Sequence, residues 1–477
     1  MKNDLPPETA ELSIQAFSQK GYGVAELLRP APLPPIEIEV AHTLPHDRIK
    51  LEMRRKQRGV RKGRLLEVLK PSPERVEPRC KHARVCGGCC WQQLAYPAQL
   101  REKQARVQQA FGPNALVRPI LPAPALFRYR NKMEFTFSEN RGGMRYLGLM
   151  IAQAEPYVFN VEECHLAASW VSEVLQKIRA WWEASGLKAY HPHTDEGTLR
   201  YVTFREAIRT GQKMVILNVS GRAEFAPPKA QLAALVSAVG EPMSVFLRIH
   251  QTKKGTPTHF YEMHLGGPDH ILETLQLQSG PLSFKISPAS FFQPNTLQAE
   301  ALYDAALDLL EPLAPTSIYD LYCGTGTLAM AAARRFGVPA VGIELSPQAV
   351  LDAQANCALN GISGCRFELG DVGQTLTRLS KESGFLKPDV VIVDPPRAGL
   401  DALAICHLEA LRPRAILYIS CNPLTQAENV RDLERAGYRV VALQPVDQFP
   451  HTYHIENIAL LVNGAFPYAK PSLNLKD

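Results

Sequence analysis

The segment Leu417-Tyr418-Ile419-Ser420-Cys421-Asn422-Pro423 ends an apolar run in a cysteine. A thiolate there can add to an electron-poor carbon and later leave, splitting one hard step into two easier ones. A strand-terminal cysteine is often only an inert core residue, but two other segments raise Cys421 above that reading. Asp389-Val390-Val391-Ile392-Val393-Asp394-Pro395-Pro396-Arg397 is a second apolar run, and its prolines stiffen the backbone just after an acid. Asp394 and Cys421 then project at the carboxyl edge of an α/β sheet, where ligands bind in such folds. Downstream, His451-Thr452-Tyr453-His454-Ile455-Glu456 supplies another acid, Glu456, in an aromatic and histidine-rich setting.

A cofactor signal lies upstream. Ile318-Tyr319-Asp320-Leu321-Tyr322-Cys323-Gly324-Thr325-Gly326-Thr327-Leu328 runs from a strand into a glycine-rich turn that opens a helix. Such a turn lets backbone approach a cofactor closely, which makes Tyr322, Gly324, Gly326 and Thr327 candidate contacts. About twenty residues after the first glycine, Glu344 ends the next strand, and its carboxylate can bind two ribose hydroxyls. An NAD site would show a similar layout. The Asp-Leu-Tyr-Cys-Gly start of the loop, and Asp371 where a third strand end meets adenine, favour S-adenosylmethionine.

Cys80, Cys86 and Cys89 stand in a C-x5-C-G-G-C pattern, with Cys164 far downstream in Val161-Glu162-Glu163-Cys164-His165. Three thiolates at close spacing plus a distant fourth suit an iron–sulfur cluster or structural zinc; spacing alone does not choose. Cys90 is adjacent but badly placed to share a metal with Cys89.

The elements that must hold these groups follow from periodicity. From about Ile286, short apolar runs alternate with helical stretches: Ser317 to Leu321, Ala340 to Glu344, Cys365 to Glu368, Asp389 to Asp394 and Ala415 to Ser420, with helices such as Pro347 to Asn360 and Leu424 to Ala436 between them. That rhythm predicts a parallel, doubly wound sheet. The middle region reads as mainly sheet. Phe127 to Phe137 alternates, with Phe127, Tyr129, Met133, Phe135 and Phe137 on one face and Arg128, Arg130 and Lys132 on the other. Leu199 to Phe204 and Met214 to Val219 form two more strands joined across Gly211. The first ~70 residues, a small-domain length, carry short strands at Ile36 to Val40 and Leu65 to Val68, with turn signals at Gly21-Tyr22-Gly23. Arg48, Lys50, Arg54, Arg55, Lys56, Arg58, Arg61, Lys62 and Arg64 face only Glu52 in that stretch, a basic edge suited to RNA backbone. The expected division is residues 1–70, 71–283 and 284–477.

The 477 residues, with 45% hydrophobic and 21% charged, exclude a disordered, collagenous or coiled-coil chain. No apolar run approaches the ~20 residues that cross a bilayer. Met1-Lys2-Asn3-Asp4-Leu5-Pro6-Pro7 lacks the apolar core of a signal peptide, so a soluble, cytoplasmic protein is expected. Ten cysteines are too few for a disulfide scaffold. The net charge of +6 permits a nucleic-acid partner without demanding one.

Together these segments resemble the RNA uracil-C5 methyltransferases (the TrmA, RlmC and RlmD family), over nearly the whole chain. Gly21-Tyr22-Gly23-Val24-Ala25 looks like the start of the family's TRAM domain, an OB-like RNA-binding barrel; Phe127 to Lys132 resembles a central-strand signature. Ser290-Phe291-Phe292-Gln293-Pro294-Asn295 resembles the start of the catalytic domain, Ser420-Cys421-Asn422-Pro423 the nucleophile motif, and Gln448 to Glu456 the base motif. The implied architecture is a class I Rossmann-like methyltransferase domain behind an N-terminal OB-like barrel and a central, mainly β domain. The resemblance implies S-adenosylmethionine as methyl donor, a [4Fe-4S] cluster on Cys80, Cys86, Cys89 and Cys164, and RNA as partner. It makes Cys421 the nucleophile, Glu456 the base, Gln293 and Asp394 contacts to uracil and cofactor, and Arg130 and Lys132 contacts to RNA. The cysteines and the TRAM-like start point to the RlmD branch and 23S rRNA. The alternatives are a tRNA T-loop uridine, an RNA amino-methyltransferase, or an iron–sulfur RNA-binding protein with an inactive methyltransferase domain. Neither a membrane nor an obligate protein partner is implied. One departure stands out: the family's loop usually continues G-x-G-N, and here Thr327 takes the asparagine position.

Overall fold

The computed structural model describes residues 9–30, 33–54, 60–154, 156–251 and 259–466. The first seven residues, and Arg55, Lys56 and Arg58 of the basic stretch, lie outside the described residues.

Near the N-terminus five strands, Thr9–Phe17, Gly23–Leu27, Ile36–Val40, Arg48–Met53 and Arg61–Lys70, close into a barrel. Their alternation puts Ile14, Ala25, Ile38, Val40, Ile49 and Leu51 inside, while Arg48, Lys50 and Arg64 stay exposed. Closure removes the free edges a small sheet would otherwise offer for mispairing.

The middle of the chain forms a seven-stranded sheet, in which Leu199–Glu206 and Lys213–Ser220, the two strands expected to join across Gly211, pair antiparallel. Helix Ser169–Ser185 lays Trp170, Val174, Ile178 and Trp182 on one face of it. One expectation is corrected here. The strand expected over 127–137 begins only at Lys132. Arg128 takes a left-handed φ of 56°, which breaks the pleat, and Phe127 and Tyr129 turn instead onto the loop that follows Tyr438–Val446. Phe127 stacks on His451 at 4.6 Å, and the Tyr129 hydroxyl donates to Pro450 O at 3.0 Å.

The third sheet runs in the order Cys365–Leu369, Ala340–Glu344, Ile318–Leu321, Val390–Val393, Ala415–Ser420, Glu456–Asn463, Tyr438–Val446. The first five strands are parallel and the last two antiparallel. Both faces are covered by helices, so Val390–Val393 and Ala415–Ser420 are buried throughout, as near-continuous apolar runs in a parallel sheet must be. Residues from well before this region join it. Helix Tyr96–Phe111 packs beside helix Pro423–Arg435, and Arg118 and Leu121 donate to Leu443 O and Pro445 O along the Tyr438–Val446 edge.

Candidate active site

The carboxyl ends of the parallel strands open onto a cavity of about 770 Å³ lined by Gln293, Tyr322, Gly324, Thr327, Glu344, Asp371, Asp394, Cys421, Glu456 and Arg130, among others. Strand register builds its reactive end. Ser420 pairs with Asn457 across antiparallel neighbours, so the next residue on one strand, Cys421, falls beside the preceding residue on the other, Glu456. Val393 pairs with Tyr418 on the next strand, which brings Asp394 to the same edge.

The glycine loop is bent into shape by three left-handed residues: Tyr322 (φ 69°), Gly324 (φ 54°) and Gly326 (φ 76°). A bulky residue rarely adopts that conformation, and strain of this kind gathers at ligand-binding turns. Gly324 N–H donates to Glu344 at 3.0 Å and Ser346 N–H donates to its other oxygen at 2.8 Å, which aims the carboxylate along the cavity wall. Gly326 does not line the cavity; a Cβ there would stand 2.6 Å from Phe367, so its role is close packing at the start of helix Thr327–Phe336. Asp371 lines the cavity and also caps helix Val372–Leu379, accepting from Gln374 N–H at 3.1 Å. Gln293 is buried against Gln448. Of the two expected cationic contacts, Arg130 reaches this cavity, over the Phe449 ring at 5.4 Å. Lys132 instead lines a neighbouring cavity and pairs with Glu134.

Burial sets the protonation chemistry. It pushes the Asp394 carboxyl up to about 7 and raises Glu456 well above the usual carboxylate range, with Asp394 adding to the shift. The Cys421 thiol is pushed up to about 11 by burial and by Glu456, against the pull of the Arg397 guanidinium. Asp320, buried under the loop and donated to by Ala329 N–H at 2.9 Å, is pushed up to about 8 by burial and then by Asp394. A half-buried thiol thus shares the cavity with two carboxyls whose burial favours the protonated form and with the Arg397 guanidinium.

Three groups had no assigned role on sequence grounds. Arg397 directly follows the Asp-Pro-Pro turn and His454 stands two residues before Glu456; both line the cavity, with Arg397 Nη2 3.1 Å from His454 Nδ1. Their adjacency to the two motifs was the available signal. The third, Lys103, gave no signal. It is fully buried on helix Tyr96–Phe111, pairs with Asp447, and donates to Phe449 O at 2.9 Å. With Gln99, which accepts from His451 N–H at 2.8 Å, and Trp91, whose N–H donates to His451 O at 3.0 Å, it holds the 447–455 loop.

Cys80, Cys86, Cys89 and Cys164 line the neighbouring cavity of about 530 Å³. Cys90 faces away, packed with Leu44, Trp91 and Leu94. Gly88 N–H donates to Cys86 Sγ at 3.3 Å, and burial pushes the Cys86 and Cys89 thiols up. Among the described residues no three His, Cys, Asp or Glu side chains are drawn together at metal-ligand spacing. The four thiols share a space that suits a soft metal group without being prearranged around one.

A doubly wound sheet with a glycine loop, a strand-end acid and a cavity at its carboxyl edge is the layout of a nucleoside-cofactor site, shared by dinucleotide-binding enzymes and class I methyltransferases, and likeness to known proteins assigns this chain to the second. Residues 263–463 match the family model described as tRNA (Uracil-5-)-methyltransferase. The chain is 46% identical to an uncharacterised RNA methyltransferase of Protochlamydia amoebophila, over 89% of this chain and 99% of the relative. It is 31% identical to another from Halalkalibacterium halodurans, over 96% and 97%. The solved Pyrococcus abyssi tRNA (uracil-54, C5)-methyltransferase, in complex with S-adenosyl-L-homocysteine, superposes with a TM-score of 0.72 at 26% identity, covering 95% of this chain and 100% of that one. The chain belongs to the RNA methyltransferases of the tRNA (uracil-5-)-methyltransferase family. Among the described residues no helix is long and apolar enough to cross a membrane.

Proposed function

We propose that this protein methylates C5 of a uridine in RNA, with S-adenosylmethionine as donor, through a transient bond between Cys421 Sγ and uracil C6. The observation that carries this is the register that sets Cys421 beside Glu456 at the sheet edge, with Asp394 on the same cavity. Uracil C5 is a poor nucleophile. Addition of the Cys421 thiolate forms the S–C6 bond and pushes the C5=C6 pair toward C5 and O4, so that C5 can take the methyl group while the donor sulfur keeps the pair of the bond that breaks. Glu456 then takes the C5 proton. The C–H pair re-forms C5=C6, and the C6–S pair returns to Cys421. Asp394 and Gln293 hold the uracil edge, as for a base drawn out of its stack. Tyr322, Gly324, Thr327, Glu344 and Asp371 hold the donor, with Gly326 shaping the loop, and Arg130 and Lys132 contact RNA.

We assign 23S rRNA as the substrate, since the N-terminal barrel, read as a TRAM domain, and the four cysteines resemble the rRNA-modifying branch. A tRNA T-loop uridine is the second reading, favoured by the name of the matching family model and by the P. abyssi enzyme. Cys80, Cys86, Cys89 and Cys164 are proposed as ligands of a [4Fe-4S] cluster, which would cross-link its surroundings, methyl transfer involving no net electron. Iron and sulfide analysis of anaerobically prepared protein tests this; stoichiometric zinc in their place would overturn it. We place the enzyme in the cytoplasm.

Nucleoside mass spectrometry of rRNA and tRNA, from cells with and without the gene, tests the substrate: 5-methyluridine should fall in rRNA. A fall in tRNA alone would move the substrate. On denaturing gels with RNA and donor, Glu456→Gln should accumulate a protein–RNA adduct that Cys421→Ala cannot form. A fully active Cys421→Ala would overturn the mechanism and favour amino-methylation.

A further inference from the structure

Cys421 opens onto two spaces. One is the cavity behind the glycine loop. The other is a groove of about 670 Å³ walled by barrel residues Gln15 to Lys20, by Arg106 of helix Tyr96–Phe111, and by Leu424. Three residues line both: Arg397, Cys421 and His454. The groove and the cavity therefore meet at these three side chains.

The Arg397–His454 contact has one chemical sense. A guanidinium only donates, so His454 Nδ1, 3.1 Å from Arg397 Nη2, must accept. A neutral imidazole whose Nδ1 accepts carries its proton on Nε2. The ring is held neutral by burial, then by Arg397, Arg130, Lys103 and Arg106, which lower its pKa to about 4. Tyr453 lies against it at a centroid distance of 4.1 Å, Phe449 meets it edge-on at 6.1 Å, and the backbone N–H of His454 is tied to Thr452 Oγ1. The ring is thus fixed in place, in charge state and in tautomer, with its N–H free of any partner among the described residues.

The uracil reaction proposed above, on which this inference rests, needs such a donor. When Sγ bonds to C6, the displaced pair ends on O4 as an enolate. Along that side of the ring the atoms run C6, C5, C4–O4. Cys421 serves C6 and Glu456 serves C5, and His454 stands on the same segment as Glu456, two residues earlier. We propose that His454 is a catalytic residue whose Nε2–H hydrogen-bonds to uracil O4 as the enolate forms, and that Arg397 is the positioning residue that fixes the tautomer. No proton is transferred. The cation on Nδ1 polarises the ring and strengthens the Nε2–H donor, and a preset donor aimed at developing charge costs no reorganisation during the reaction.

The test uses full-length protein and in vitro transcripts of rRNA and tRNA carrying uridine tritiated at C5. Release of tritium with donor present follows turnover. His454→Phe should lower kcat by about 10²–10³-fold, the usual loss for one oxyanion donor, with KM for RNA nearly unchanged. His454→Gln, which keeps an N–H, should recover part of that loss. Arg397→Ala should be partly rescued by guanidinium ion in solution. Nitrogen NMR of the imidazole should show the Nε2–H tautomer in the native protein and a mixture in Arg397→Ala. A His454→Phe enzyme with kcat within about threefold of native, or one that loses only RNA affinity, overturns this assignment while an inert Cys421→Ala leaves the nucleophile standing. A fully active Cys421→Ala overturns both.

Discussion

Asp394, Cys421 and Glu456 reach the cavity from strand ends of a single sheet, each placed by pairing with its neighbour. The 447–455 loop that carries His454 is held differently, by side chains more than three hundred residues away. Lys103 pairs with Asp447, Gln99 bonds His451 at both the ring and the backbone, and the Tyr129 hydroxyl reaches Pro450 O. In the first region the backbone ladder does the positioning, so a side chain can be chosen for chemistry alone. In the second the side chains themselves do the positioning, so changing one alters shape as well as chemistry. Stability and activity should separate in the sheet-edge region and move together in the loop.

The largest effect expected from that contrast is chemical. Cys421→Ser keeps size and hydrogen bonding but loses the soft nucleophile of the proposed mechanism. Methylation should fall by about 10⁴-fold or more, as when other enzymes lose a nucleophile, while stability stays within about 1 kcal/mol of native. Single-turnover rates and urea melts measure both. A strongly destabilised Cys421→Ser would break the comparison.

Lys103→Met tests the other side. Removing one partner of a buried ion pair leaves an uncompensated charge and costs about 3–5 kcal/mol. The double variant Lys103→Met, Asp447→Leu should recover most of that stability, because an apolar pair of similar volume replaces a buried ion pair at little net cost. Its kcat should stay well below native, since the bond from Lys103 Nζ to Phe449 O is gone as well. Full activity in the double variant would mean that the ladder, not Lys103, positions the loop.

This contrast also governs what the sequence discloses. The glycine loop, Asp394, Cys421 and Glu456 are legible because strands and turns are local patterns, and a strand end announces itself by the residues around it. The five parallel strands and the helices Pro347–Leu359 and Pro423–Arg435 fall where periodicity puts them, to within a few residues. The Lys103–Asp447 pair has no local signature: a lysine on a polar helix face looks like any solvated one until a partner 344 residues away covers it. The alternation from Phe127 to Phe137 misleads for the same reason. Phe127 and Tyr129 are apolar at strand spacing, yet they serve the distant loop, which bends the chain at Arg128 and sends Lys132 toward the cysteines.

A smaller effect is expected with pH. The Cys421 thiol is pushed up to about 11 and Asp394 up to about 7. In the proposed mechanism the first adds to C6 as an anion, and the second, holding the uracil edge, accepts from a ring N–H best as an anion. Both anionic fractions grow as pH rises, so the single-turnover rate of adduct formation should climb from pH 6 through pH 9. Arg397 favours the thiolate, so Arg397→Ala should push the climb to still higher pH. A flat native profile over that range would show that the thiolate is already formed when RNA is bound.

The smallest effect belongs to Thr327, where the family resemblance leads to the expectation of asparagine. Its side chain is buried at the start of helix Thr327–Phe336, and its hydroxyl lies 3.3 Å from that of Thr325. The loop is therefore closed on itself at this point, and its shape rests on the glycine conformations and on Glu344 rather than on residue 327. Thr327→Asn lengthens a hydrogen-bonding side chain that already lines the cavity, and one added hydrogen bond is worth about 1 kcal/mol, or about fivefold in affinity. S-adenosylhomocysteine binding, followed by calorimetry, should tighten by up to about that factor with kcat unchanged. Weaker binding would mean that the Thr325–Thr327 contact itself shapes the loop, and that this edge of the sheet, like the 447–455 loop, is positioned by side chains.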